Sequence, residues 1–245
     1  MKKTIFLIIL GLVTIGCICW GTLRHTGGYG DFEKTDSDKT INQKLESFSS
    51  INIDAGAMAI VIEEGPEFKI EGQVNRTYLM PEISVKAGNL EIRQNKKKPH
   101  FRSGYENSRV VITIPFGNEL RSVNVDTGAG DLKIRNITAE DLDFDINVGK
   151  ITLNNVAFEN LKIDNNIGEV NLKAENDFKS LEINNNVGEV EIYTKENLSD
   201  YNVSLSTDVG DICVEDQHFK SSYNSSGSSN KRITVNTNVG AINIH

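Results

Sequence analysis

The chain is poor in the residues that do chemistry. Of its 245 residues three are cysteine and four are histidine. Cys17 and Cys19 fall in an apolar N-terminal run, so Cys213 stands alone in the remainder and no disulfide framework holds the fold together. Cys213 lies between Ile212 and Val214, and strand alternation turns its thiol outward as a tolerated surface residue. His25, His100, His218 and His245 are scattered and make no metal-ligand spacing. No nucleophile elbow, phosphate loop or paired His/Cys constellation occurs. We therefore expect no enzyme, no cofactor and no metal site. Positive charge is also short: 26 Lys and Arg face 34 Asp and Glu, a net charge of −8, which argues against a nucleic-acid partner. The one basic cluster outside the N-terminus, Lys96-Lys97-Lys98-Pro99-His100-Phe101, reads as a solvated loop; contact with an anionic envelope polymer or lipid headgroup is its functional alternative.

Long apolar runs are limited to one. Lys2 and Lys3 precede Thr4–Gly21, 18 uncharged and mostly apolar residues, with Arg24 the next charge. This pattern predicts a membrane-inserted segment over 1–21, lysines inside, with the C-terminal domain outside the cell. A cleaved signal stays open, as does a lipoprotein, since Thr14-Ile15-Gly16-Cys17 resembles a lipoprotein box with Thr in place of an aliphatic residue. Residues 22–47 combine glycines with a charged stretch, DFEKTDSDK, and read as a flexible linker.

What the sequence does have is repetition. DLDFDINVGKITL, NLKIDNNIGEVNL and SLEINNNVGEVEI share one template. Apolar residues sit seven and five before a glycine and two and four after it, with Asp or Asn four before and Asn two before. From Val123 this template runs on Gly130, Gly149, Gly168, Gly188, Gly210 and Gly240, with spacings of 19, 19, 20, 22 and 30 residues. Spacing two inside each half is a strand signature, and the glycine marks a turn. One copy buries about five aliphatic side chains, on the order of 10 kcal/mol, against about 1–2 kcal/mol of ordering cost for each of its ~20 residues. A single copy cannot stand alone, so the copies must cover one another.

The prediction is an all-β fold, a β-solenoid or β-helix-like stack of strand-turn-strand repeats with rungs about 4.8 Å apart; a meandering sandwich of the same hairpins is the alternative. Stacking would lay Asn147, Asn166, Asn186, Asp208 and Asn238 over one another as a side-chain ladder. The repeat domain spans 48–245, with the array over 121–245. An earlier copy is disguised at Ile51–Ile62, with Met58 in the place of the glycine. Between them 63–120 reads as a β annex with strands around Phe68/Ile70, Ile83/Val85, Leu90/Ile92 and Val110/Ile112/Ile114, and with a hairpin turn at Ala87-Gly88-Asn89. Glu215–Arg232, rich in Ser and Asn, reads as a mobile loop, and the final copy, ending at His245, as an exposed edge. Calcium is disfavoured because the residue after the glycine runs Asp131, Lys150, Glu169, Glu189, Asp211, Ala241, with a lysine in mid-series. Asp145 and Asp164 could meet on neighbouring copies as paired carboxylates, but their place beside the turn is better explained by bonding to local backbone.

The opening IDAGAMAIVI, then RVVITIPF, then VDTGAGDLKI, INVGKITL, NNIGEVNL, NNVGEVEI, TDVGDICV and TNVGAINI, behind the N-terminal apolar segment, resemble the bacterial β-strand-repeat family described as "putative adhesin", also called toastrack-like, a domain of unknown function. The resemblance covers about 48–245 and departs from the pattern at Met58. It implies an exported, membrane-tethered envelope module, in a family with members linked to envelope-stress signalling, and supplies no catalytic residues. The functional expectation is adhesin-like binding or scaffolding in the bacterial envelope, with an envelope polymer as partner; the alternative is envelope-stress sensing through a membrane signalling protein.

Overall fold

Alternation and its interruptions shape each rung. The computed structural model describes residues 39–74, 79–94, 108–195 and 197–245. The expected membrane segment 1–21 lies outside them, as do residues 22–38 of the linker and the basic cluster at Lys96–Phe101. Among the described residues no helix is long and apolar enough to cross a membrane. In strand β9 (Leu132–Val148), Leu132, Ile134, Ile137, Ala139, Leu142, Phe144 and Ile146 are buried, and the alternation breaks at exposed Asn136 and again at exposed Glu140-Asp141. Asn136 has φ 52, a left-handed value that asparagine tolerates. The 17-residue strand therefore turns at two corners, and Gly149 supplies a third. Strand β10 (Ile151–Ile167) repeats the course in parallel register, from Ile151 beside Leu132 to Ile167 beside Val148. Its corner residue Asn155, φ 55, donates to Asn136 at 3.2 Å.

Neighbouring copies pair in parallel, as a stack does and a meander of hairpins does not. On the side before the glycine, β2 (Ser50–Ala57), β8 (Glu119–Ala129), β9 and β10 follow in chain order, then β12 (Ser180–Val187). The order then changes. Strand β18 (Lys231–Val239) of the last copy pairs with β12 on one side and with β14 (Tyr201–Val209) on the other. After the glycine, β13 (Val190–Tyr193), β19 (Ile242–Ile244) and β15 (Ile212–Val214) follow the same sequence. The sixth copy is thus inserted between the fourth and the fifth, and the expectation that it ends the array as an open edge is corrected.

The excursion between those copies makes this possible. Glu215–Arg232, expected as a mobile loop, contains β16 (Gln217–Phe219), antiparallel to β15, and β17 (Ser222–Ser225), antiparallel to β14. Phe219 and Tyr223 pack against the core and each other, with centroids 4.7 Å apart. This segment covers the edge of the terminal rung, so the liability of an unpaired strand passes to strands of only three and four residues.

The opposite end is closed similarly. Strand β6 (Asn89–Arg93) pairs in parallel with β2, and β7 (Arg109–Pro115) with β3 (Ala59–Gly65), so the annex supplies one more rung without the glycine template. Antiparallel β5 (Glu82–Lys86) covers β6, β4 (Lys69–Val74) covers β7, and β1 (Lys39–Lys44) covers β4. Ala87 and Gly88, φ 49 and 74, form the two-residue turn between β5 and β6. Ile41 and Leu45 are buried, which corrects the linker expectation over residues 39–47. The core is a continuous aliphatic column, with Phe158, Phe178 and Tyr201 stacked through it at 4.9 and 4.8 Å. The Tyr201 hydroxyl donates to Asp177 at 2.7 Å.

Candidate interaction corner

The turn glycines line one corner. A Cβ on Gly149 would stand 2.1 Å from the Gly130 carbonyl oxygen, and on Gly168, Gly188, Gly240 and Gly210 it would stand 1.8 to 2.0 Å from the glycine oxygen of an adjacent rung. Gly130 meets the Met58 oxygen at 2.2 Å, so the earlier, disguised copy keeps the corner although its own residue is methionine, buried in the core. Close approach of backbones, more than freedom of the turn, is the property these glycines share: Gly149 has no left-handed φ, whereas Gly188 has φ 139. The approach is held by hydrogen bonds from each glycine N–H to the carbonyl of the residue before the next glycine, for example Gly149 to Ile167 at 3.0 Å and Gly168 to Val187 at 2.9 Å.

Beside the glycines runs the amide row. Asn166 donates to Asn147 at 2.6 Å, Asn186 to Asn166 at 2.6 Å and Asn238 to Asn186 at 3.1 Å, all exposed. Asp208 stands at the end, next to Asn238, because of the changed rung order. Asn166 and Asn186 each use one donor and one acceptor along the row and keep further capacity of both kinds.

Two further rows escaped sequence reasoning. Three residues before the glycine, Thr127, Asn165, Asn185, Thr237 and Thr207 are buried where an aliphatic residue is expected. Asn165 donates to the side-chain Oδ1 of Asn185 at 2.9 Å, and Asn185 donates to the backbone oxygens of Gly168 and Gly188 at 3.2 and 3.0 Å. Asn185, and Thr207 through its hydroxyl to the Gly240 oxygen at 3.0 Å, satisfy corner carbonyls from inside, and the signal of this row was the recurrence of Asn and Thr at one template position. One residue before the glycine, Val148, Ile167, Val187, Val239 and Val209 are exposed. Alternation would have put them in the core; instead the chain turns between this position and the one before it.

Outward again, four residues before the glycine, Asp54, Asp126, Asp145 and Asp164 follow one another in register and continue into Asn184 and Asn236. The row brings Asp145 and Asp164 onto adjacent rungs. Asp164 forms an ion pair with Lys162 at 2.7 Å and accepts from Asn184 at 2.9 Å. Partial burial pushes its carboxyl up, but the bonds from Lys162 and Asn184 outweigh that and hold it below the usual range. Such a group is an anion at neutral pH and not a general acid. Among the described residues no cluster of His, Cys, Asp and Glu could hold a metal ion. Cys213 is half-buried on the outer side of β15, opposite His218 of β16, with its thiol 3.2 Å from the Glu215 carbonyl. Two open grooves, of about 510 Å³ around Glu140 and Phe158 and about 640 Å³ around Glu71 and Arg109, lie away from the corner.

Comparison with known proteins fits this geometry. The structure of a "putative cell adhesion protein" from Clostridium sporogenes matches with a TM-score of 0.53 at 20% identity, covering 85% of this chain and 99% of that one. A "putative adhesin" from Bacteroides fragilis matches with a TM-score of 0.51 at 12% identity, covering 85% and 97%. Likeness at these identities shows a shared fold. No curated protein matches the chain. The model of the family described as Toastrack DUF4097 matches twice, over residues 48–173 and 119–245, and a repeat explains how the two placements overlap. Together they span the whole stack, and the chain belongs to the Toastrack DUF4097 family.

Proposed function

We propose that this chain is a membrane-anchored, extracytoplasmic β-repeat module that binds or scaffolds within the bacterial cell envelope, adhesin-like and without catalysis. The observation that carries the reading is the corner itself. Glycine, amide and aliphatic rows recur at successive rungs, so the surface offers the same groups many times along a line. Repetition of this kind suits an elongated partner, because weak contacts made in parallel add up. The apolar Thr4–Gly21 behind Lys2 and Lys3 supports tethering, with a lipoprotein or secreted form as the alternatives. Two measurements test this. Intact cells treated with protease should lose the 39–245 region while the chain fractionates with the membrane; a chain protected until lysis refutes the reading. Crosslinked pull-down from intact membranes should recover envelope polymer or surface protein. Recovery of a membrane signalling protein held through Thr4–Gly21 would place the chain in envelope-stress sensing instead.

A further inference from the structure

The aliphatic row is an exposed feature that the fold does not require. In stacking order it reads Val148, Ile167, Val187, Val239 and Val209. These side chains are 44% to 63% exposed, while the core residues of the same strands are covered. Threonine has the same branched shape and strand preference without presenting apolar surface to water, so strand formation does not account for five aliphatics in a column. Four rung intervals of ~4.8 Å make the strip ~19 Å long. Contiguous apolar surface bordered by polar rows marks a contact.

The neighbouring rows decide what kind of contact. Beyond the glycines, in stacking order, stand Asp131, Lys150, Glu169, Glu189, Ala241 and Asp211, four carboxylates against one ammonium, and that lysine is held by Glu169 at 2.6 Å. On the other side the amide row ends in Asp208, with Asp145 and Asp164 behind it. This field attracts cations and repels anionic headgroups and further copies of an acidic chain. Edge-on strand addition is closed as well. The carbonyls of the row accept from glycine N–H groups of the adjoining rungs, as between Gly188 and Val239 at 2.9 Å and Gly240 and Val209 at 2.9 Å, so a partner must dock through side chains.

Spacing selects the partner's conformation. Residues on one face of an extended chain recur every ~6.6–6.8 Å and fall out of step with ~4.8 Å rungs after one interval. A helix returns a side chain to the same face every ~4.5–6 Å and stays in step over three turns. We propose that this aliphatic row is the docking site for a cationic amphipathic helix of a partner protein, about 13 residues long, lying along the stack with its apolar stripe on the row and its Lys and Arg over Glu189 and Asp211. The assignment names a partner class for the binding module proposed above and rests on that reading.

The probe is a synthetic 15-residue peptide with leucine at positions i, i+3, i+7, i+10 and i+14 and lysine and glutamine elsewhere, titrated into the full chain in mild detergent by fluorescence anisotropy. Binding should weaken as salt rises. The triple substitution Ile167→Thr, Val187→Thr and Val239→Thr should weaken it at least tenfold without moving the melting transition. Glu189→Lys, on the exposed surface, should weaken it and flatten the salt dependence. Unchanged affinity in either variant overturns the proposal. So does equal binding of a scrambled peptide or of one with glutamate for lysine, or a concentration-dependent dimer that the triple substitution abolishes, or a neutral glycan that displaces the peptide. Correct membrane fractionation with failed titration removes only this inference; failed fractionation leaves the titration standing and removes the envelope reading.

Discussion

Alanine at the turn glycines separates two costs that the corner combines. Gly188 has φ 139, and a Cβ there would lie 1.9 Å from the Gly168 oxygen and 2.7 Å from its carbonyl carbon. Ordinary carbon to oxygen contacts stop near about 3.3 Å, so the two rungs must part by more than ~1 Å locally. The bonds on either side, Gly168 N–H to the Val187 carbonyl and Val170 N–H to the Glu189 carbonyl, both 2.9 Å, would stretch beyond use. Two backbone bonds at about 1 kcal/mol each and a strained backbone at about 1–3 kcal/mol put Gly188→Ala at ~3–5 kcal/mol. Gly149 has the close approach, 2.1 Å to the Gly130 oxygen, without the left-handed φ, so Gly149→Ala should cost about 2 kcal/mol. Gly117, in the turn after β7, has φ +71 and nothing within 4 Å of an added Cβ, so Gly117→Ala should cost about 1 kcal/mol. Urea unfolding of the chain in mild detergent, followed by far-ultraviolet circular dichroism, reads all three as shifts in midpoint. The reasoning is refuted if Gly188→Ala unfolds within ~0.5 kcal/mol of the parent, or if Gly117→Ala is the more damaging.

Deleting Lys231–His245 empties a slot with ladders on both sides, β12/β13 and β14/β15; amide exchange should then lose protection across Tyr201–Val214 while β9 and β10 keep theirs, and retained protection over Tyr201–Val214 would contradict the inserted order. In the buried row Asn185→Ala should cost about 2–3 kcal/mol and Asn165→Ala only about 1, because Asn185 serves two glycine carbonyls whereas the side-chain Oδ1 of Asn165 accepts no hydrogen bond; chemical denaturation of the two variants checks the ranking. The bond from Lys231, then that from Tyr201, hold the Asp177 carboxyl below its usual range. A carboxyl with a depressed folded value contributes stability above the unfolded value near pH 4 and loses it as the pH falls through the folded one. Asp177→Asn should thus flatten the acid limb of melting temperature against pH below about 4, by less than ~1 kcal/mol since the pair is open to solvent, and leave the slope unchanged above about pH 6.

The rung was legible because its causes are local. Leu161/Ile163 with Val170/Leu172 and their counterparts state which side chains face inward, and a glycine at a fixed offset states where the chain turns; parallel register then brings Ile163 over Phe144 and beside Ile183. Less was legible at the corner, where two physical effects coincide. The turn falls one residue earlier than strict alternation implies, which moves Val187 from core to surface, and the backbone carbonyls released by that turn need donors from inside, which places Asn185 in the core. A period-two template has no term for either. The row of Asp54, Asp126, Asp145 and Asp164 was readable as spacing, but the effect of Lys162 on its last member depends on a neighbour two residues away whose side chain turns toward it.

The order of the rungs was not legible, and the reason lies in what repetition specifies. Because each copy presents nearly the same apolar positions to either neighbour, the core alone does not distinguish Val203/Leu205 from Ile233/Val235 as the pair that lies on Leu181/Ile183. The distinction comes from pieces outside the template. Tyr201 enters the aromatic column beside Phe178, and Lys231 binds Asp177, so a residue of the fifth copy and one of the sixth are both fixed against the loop preceding β12. Ser222–Ser225 then runs antiparallel on the outer edge of β14, an edge that only the last rung of a stack can offer. The 30-residue spacing from Gly210 to Gly240 is therefore more than a longer loop. It is the length needed to cap the terminal rung and return the chain inside it, and the elements that direct the return are the ones that break the repeat.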